Sequence, residues 1–186
     1  MNRAAAALAG AFMLARGRAT GLALIDGSPA GAWASFMAMF LCVPGYAALR
    51  LLSDTPAAPD PLRAFAAETI GYVAGWFAFP LVMDGVTRAM DRAERYTTLV
   101  ATWNWANVVQ VLVLLGSAAV AAMGILPTAV SDVLALMVLG YILWLQWFVA
   151  RTVLGVPGAQ ASFVVVTELV LGLFITGLTL SLAFGG

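Results

Sequence analysis

Between Tyr96 and Ser131 the chain carries no charged residue for 36 positions. That is well beyond the ~20 residues an α-helix needs to cross the hydrocarbon of a bilayer. Near the start of the run stand Trp103, Asn104, Trp105, Asn107 and Gln110. Asn104, Asn107 and Gln110 are spaced by three, and each such step turns a helix by about −60°, so the amides share roughly a 120° arc. An unpaired amide in lipid costs several kcal/mol. The stripe must therefore face other helices or enclosed water, and it predicts a bundle assembled on that face.

Composition extends this to the whole chain. It is 63% hydrophobic and 10% charged, with a mean hydropathy of +0.98, where a soluble domain is about 45–50% apolar and about 25% charged. The class is all-α, a polytopic membrane helical bundle whose first partner is the lipid bilayer. Net charge is zero, so no overall field draws nucleic acid. There is no histidine, and all nine basic residues are arginine. Without histidine no Ser-His-Asp or Cys-His set can form, and the commonest metal and haem ligand is missing. Without lysine there is no phosphate-cradling glycine loop. Cys42 is the only cysteine, which excludes an intrachain disulfide. No catalytic, cofactor or metal residues are expected, and the chain does not read as an enzyme.

Five transmembrane helices are expected, preceded by an N-terminal amphipathic interfacial helix. Residues 1–27 form the interfacial segment, with Ala5, Leu8, Phe12 and Ala15 on one face and Arg3, Arg16 and Arg18 nearby. A cleaved signal peptide is the rival reading; Arg16 and Arg18, just after the apolar run, argue against it. Residues 28–186 hold the five-span bundle. Ser28-Pro29 starts the first span, about 29–52, which Pro44 is expected to kink. A loop with Asp54, Pro56 and Pro59 follows, and Asp60-Pro61 restarts the helix for the second span, about 64–87. There Ala67, Gly71 and Gly75 form a small-residue step, a candidate helix-contact face. The charged loop 88–95 leads to the third span, about 96–123. Ser131-Asp132 is expected to cap the fourth, about 132–150, and Gly155–Gly158 turns the chain into the fifth, about 160–183.

Seven arginines then fall on one side of the membrane (Arg3, Arg16, Arg18, Arg88, Arg92, Arg95, Arg151) and two on the other (Arg50, Arg63). This predicts a cytoplasmic N-terminus and an outward, periplasmic C-terminus; arginine-only basic composition suggests a bacterial inner membrane. At about 1.5 Å per residue Asn104 lies roughly 12 Å deep, Glu168 at a similar depth and Gln146 roughly 6 Å deep. Asp84, Asn104, Asn107, Gln110, Gln146 and Glu168 are thus a candidate intramembrane polar cluster. An intramembrane carboxylate is a functional-site hypothesis by default. The competing reading is structural, with amide and carboxyl bonds holding the bundle at about 0.6–2 kcal/mol each and Asp84 neutralised by Arg88 at i+4. Dry packing of Glu168 and Asn104 would favour a scaffold, and a wet cavity beside them transport.

Two stretches carry a family resemblance. One runs from Gly21 through Asp26-Gly27-Ser28-Pro29 to Trp33 and Phe36; the other is Glu94-Arg95-Tyr96 leading to Trp103-Asn104-Trp105-Ala106-Asn107 and Gln110. Both resemble the bacterial branch of the Yip1 superfamily, small five-span membrane proteins. The resemblance implies a helical bundle that organises or binds other membrane components, through other membrane proteins or self-association. The alternatives are a small transporter or channel using the polar cluster, and an accessory subunit of a larger membrane complex.

Overall fold

The computed structural model describes residues 2–52 and 59–185. The expected loop residues Asp54 and Pro56 lie outside the described residues. Among those described, the chain is helical without strands, and five helices are long and apolar enough to cross a membrane. It is a multi-pass transmembrane helical bundle.

The chain opens with α1 (Arg3–Leu14), capped by the Asn2 side chain, and a 3₁₀ helix (Ala19–Leu24) folded back on it. The side of α1 that packs on the bundle is Ala7, Gly10, Ala11 and Leu14; Ala5 is exposed, and Leu8 and Phe12 are half-buried. The expected face was therefore rotated. Gly10 lets the 3₁₀ helix approach α1 closely at Gly21, while the bulkier residues keep part of their surface outward.

The first span comes in two pieces, α2 (Pro29–Ser35) and α3 (Met37–Leu51). Ser28 caps α2 by accepting the Gly31 amide at 3.0 Å, and Pro29 occupies the first turn. Just before it, hydrogen bonds from Ser28 hold the exposed Asp26 carboxyl below the usual carboxylate range. The interruption falls at Phe36, whereas Pro44 lies inside the unbroken α3. The reason is local. The Ser35 hydroxyl donates to the Ala32 carbonyl at 2.6 Å, and the Phe36 and Met39 amides take i−3 partners in the tighter 3₁₀ manner.

The four remaining helices are α4 (Pro61–Ala89), α5 (Tyr96–Ala122), α6 (Thr128–Leu154) and α7 (Gly158–Phe184). Asp60 caps α4, accepting from the amides of Leu62 and Arg63 at 3.0 and 3.2 Å. Helices α4, α6 and α7 overrun the expected spans, because a charge-free run measures hydrocarbon thickness and not helix length, while α5 matches its expected span. Accordingly α6 starts after Pro127 and carries Ser131 and Asp132 within it instead of being capped by them. In the 88–95 connection Arg92 donates to the Leu154 carbonyl at 3.0 Å, answering a free carbonyl at the negative end of α6.

Helix α5 is the hub. From Leu99 to Gln110 every residue except the half-buried Asn107 is buried. It packs against α1, α2, α3 and α6, but meets α4 only over a short stretch. Helix α4 pairs instead along α7. The bundle thus has two parts, a group centred on α5 and an α4–α7 pair laid beside it. Outward positions such as Leu81 and Phe174 are exposed and apolar, as lipid contact requires.

Candidate functional site

A cleft runs between the α4–α7 pair and the helices α3 and α5. Its wide part encloses about 400 Å³ and is lined by Tyr46, Glu68, Tyr72, Asn107, Gln110 and Thr176, among others. A narrower extension of about 160 Å³ continues to Asn104, Asn107 and Glu168. The two share Gly75, Trp76, Asn107, Gly172 and Ile175, so they adjoin across a common wall.

Its wide part lies toward the side of the bundle away from the N-terminus. Glu68 is seven residues inside α4, about 10 Å at 1.5 Å per residue. Its carboxylate accepts the Tyr46 hydroxyl at 2.6 Å and pairs with the Arg50 guanidinium. Glu68, Tyr46 and Arg50 were not among the expected site residues. Glu68 sits only one residue outside the charge-free core of its span, which made it look like a helix-end charge. The i, i+4 pair Tyr46 and Arg50 on the preceding span was the available signal.

The cleft ends on the N-terminal side. There Phe79 and Trp103 stack with ring centroids 4.1 Å apart and planes 13° from parallel, and Glu168 lies ten residues inside α7, about 15 Å. Among the described residues the ion pairs are Arg50–Glu68 and Arg88–Asp84, so Glu168 has no protein cation beside it. A charged carboxylate at membrane depth costs about 2.5–3.5 kcal/mol even on the most lenient insertion scale. Among the described residues no hydrogen bond reaches its carboxylate, and Gln146, on α6, bonds Gln110 instead.

The amide stripe of α5 faces inward along its length. The Asn104 amide donates to the Ser35 hydroxyl at 2.9 Å, buried. This bond joins the hub to the interruption between α2 and α3. Asn107 lines both parts of the cleft and makes no side-chain hydrogen bond among the described residues. Gln110 accepts from Gln146 at 3.5 Å, a long contact, leaving Gln110 Nε2 and Gln146 Oε1 buried without partners. Turning both amides over leaves the same deficit, one NH₂ and one carbonyl unanswered.

The remaining expected residues separate. Asp84 does not join the cluster: it is half-exposed and bonded to Arg88 one turn later. Ala67 is buried, and a Cβ on Gly71 would collide with Thr179 of α7, so these two lie where α4 crosses α7 closely. Gly75 meets nothing within 4 Å; it is a wall of the cleft and not a helix contact. Trp103 and Trp105 are both packed in the core, 2% and 4% exposed.

The Ser35–Asn104 bond makes a direct test of the hub. In a double-mutant cycle of Ser35→Ala and Asn104→Leu, unfolded by SDS from mild-detergent micelles, the coupling energy should be about 0.6–1.7 kcal/mol. Additive single effects would show that the two side chains are independent. No family model, no curated protein and no solved structure matches this chain.

Proposed function

We propose that this chain is a non-enzymatic membrane protein that admits a small ligand to its intramembrane cleft and passes it across the bilayer, as a small transporter. One observation carries the reading: an intramembrane cleft whose wide part is lined by Tyr46, Glu68, Asn107 and Gln110 reaches Glu168, a carboxyl with no cation beside it among the described residues. Polar groups that merely hold a bundle together are paired and dry; here Asn107 is unbonded and Glu168 borders empty space. The seven-to-two arginine asymmetry supports a cytoplasmic N-terminus, and with it a cleft whose wide part lies toward the periplasmic face of a bacterial inner membrane.

Cysteine accessibility tests both statements. In a Cys42→Ala background, Thr176→Cys in the cleft and Leu173→Cys on the lipid face are compared in right-side-out vesicles. A charged methanethiosulfonate reagent added outside should modify the first roughly tenfold faster or more, since the reagent needs water that lipid excludes. Equal rates, or protection of position 176 from the outside only, would defeat the reading.

A second groove favours the organising role implied by the Yip1 resemblance. It encloses about 310 Å³ between α2, α4 and α5, and Trp33, Phe36, Phe77 and Leu81 line it; Trp33 is 73% exposed. That reading, or an accessory-subunit role, requires a stable larger assembly on native gels in mild detergent. A chain that is always monomeric and alone would count against both.

A further inference from the structure

We infer that the cleft is a binding site for an ammonium group carried on a compact apolar body, with Glu168 as its counter-ion. The inference rests on the proposed cleft function and specifies its ligand class. Three observations converge. First, the deep end holds an acid and no base among the described residues. Among the described residues Glu168 is the only ionisable one lining the inner part of the cleft, and the one basic lining residue, Arg50, stands in the wide part against Glu68. An anion would meet an unanswered carboxylate there; a cation would complete it.

Second, the donor and acceptor arithmetic suits N–H groups. A primary ammonium offers three donors and no acceptor. Around the deep end stand the Glu168 carboxylate and the unbonded Asn107 amide; toward the wide part the Gln110–Gln146 pair leaves one carbonyl without a donor and one NH₂ without an acceptor, and an ammonium answers the carbonyl. Gln110 and Gln146 are 8% and 4% exposed, so ordinary bulk water does not answer them. An inorganic divalent cation fits less well, since it wants six or more oxygens. No group of three His, Cys, Asp or Glu is found among the described residues.

Third, the walls suit an apolar body. Trp76, Phe79, Trp103 and Ile175 surround the inner part, with Gly75 and Gly172 providing width. Aromatic rings beside a carboxylate give an organic cation both contact area and attraction to their faces. The whole space falls within the size range of small-molecule sites, about 300–1,000 Å³. Such an ammonium could arrive as a free amine or as the ethanolamine headgroup of a lipid entering from the bilayer.

Equilibrium binding of radiolabelled phenethylamine to the full chain in phosphatidylcholine nanodiscs tests the inference, with 2-phenylethanol as the uncharged counterpart of the same shape. The wild-type chain should bind the amine saturably and at least about tenfold more tightly than the alcohol. Glu168→Gln should abolish that preference, and Gly75→Leu, which fills the cleft, should weaken both ligands. Both variants should keep the wild-type thermal midpoint to within a few degrees. In discs that also contain phosphatidylethanolamine, loss of amine binding identifies the lipid headgroup as the source, and undisturbed binding identifies a free amine. Equal binding of amine and alcohol, no saturable amine binding, or an amine preference that survives Glu168→Gln would overturn the inference. If Thr176→Cys is modified from outside while the amine fails to bind, the cleft stands and the ammonium assignment falls. If Thr176→Cys is unreactive, both fall.

Discussion

Replacing Trp103 with alanine should destabilise the bundle by about 3 kcal/mol, the low end of the range for deleting a buried aromatic. The indole is 2% exposed and lies flat on Phe79, itself 5% exposed. The low end applies because lipid is as apolar as the core, so moving the ring out of the protein carries little transfer energy. What is lost is packing: the void left between α4 and α5 has no atoms to fill it. Trp33→Ala is the control. Trp33 is 73% exposed, and its truncation should move stability by less than about 1 kcal/mol. SDS titration of both variants, read by circular dichroism, checks the contrast. Similar midpoints for the two would mean that the Phe79–Trp103 stack does not join α4 to the hub.

The second large effect concerns two glycines four residues apart. Gly71→Leu should cost about 1–3 kcal/mol or more, because overpacking a close crossing forces backbone apart. Even a Cβ at Gly71 would run into Thr179 of α7, and α4 has no other extensive partner. Gly75→Leu should leave stability near wild type, since its Cβ meets nothing within 4 Å. The same unfolding assay, with cross-linking between α4 and α7 as a second readout, separates them. If Gly75→Leu proves the more damaging, the packing of α4 has been assigned to the wrong face.

Most of the architecture can be read from the residues because membranes impose few, strict rules. Long charge-free runs mark the spans, and Ser28-Pro29 and Asp60-Pro61 mark two helix starts through side-chain oxygens that accept free amides. The three amides of α5 announce an inward face because lipid offers them nothing. The failures share a cause. A spacing of four places Gly71 and Gly75 on one side of a helix, but which of them meets a neighbour depends on how α4 crosses α7. Asp84 had the right depth for the polar cluster but bonds Arg88 on its own helix. The helix ends at Leu154 and Thr128 lie beyond the hydrocarbon limits that charges reveal. The interruption at Phe36 turns on the i−3 partners that the Phe36 and Met39 amides take, a backbone choice that neither Ser35 nor Phe36 announces in the sequence. Glu68 was visible as an acidic residue, but its place in the lining of a cleft emerges only when α3 brings Tyr46 and Arg50 against it.

The two ends of the bundle are fastened differently. On the N-terminal side, side chains tie neighbouring segments to one another's backbone: Thr97 to Gly27 at 2.6 Å, Tyr141 to Ala15 at 2.7 Å, Arg92 to Leu154 at 3.0 Å and Tyr96 to Pro80 at 3.1 Å. At the other end, among the described residues, Arg63 bonds the Leu182 carbonyl within the α4–α7 pair, and the Glu68 cluster is the ionic link from that pair to α3. Mechanically this is a clothes-peg. Its fulcrum lies under the riveted rim, its jaws are at the far rim, and a displacement of α4 and α7 has to release both the Arg50–Glu68 clasp and the bond from the Tyr72 hydroxyl to the Met39 carbonyl.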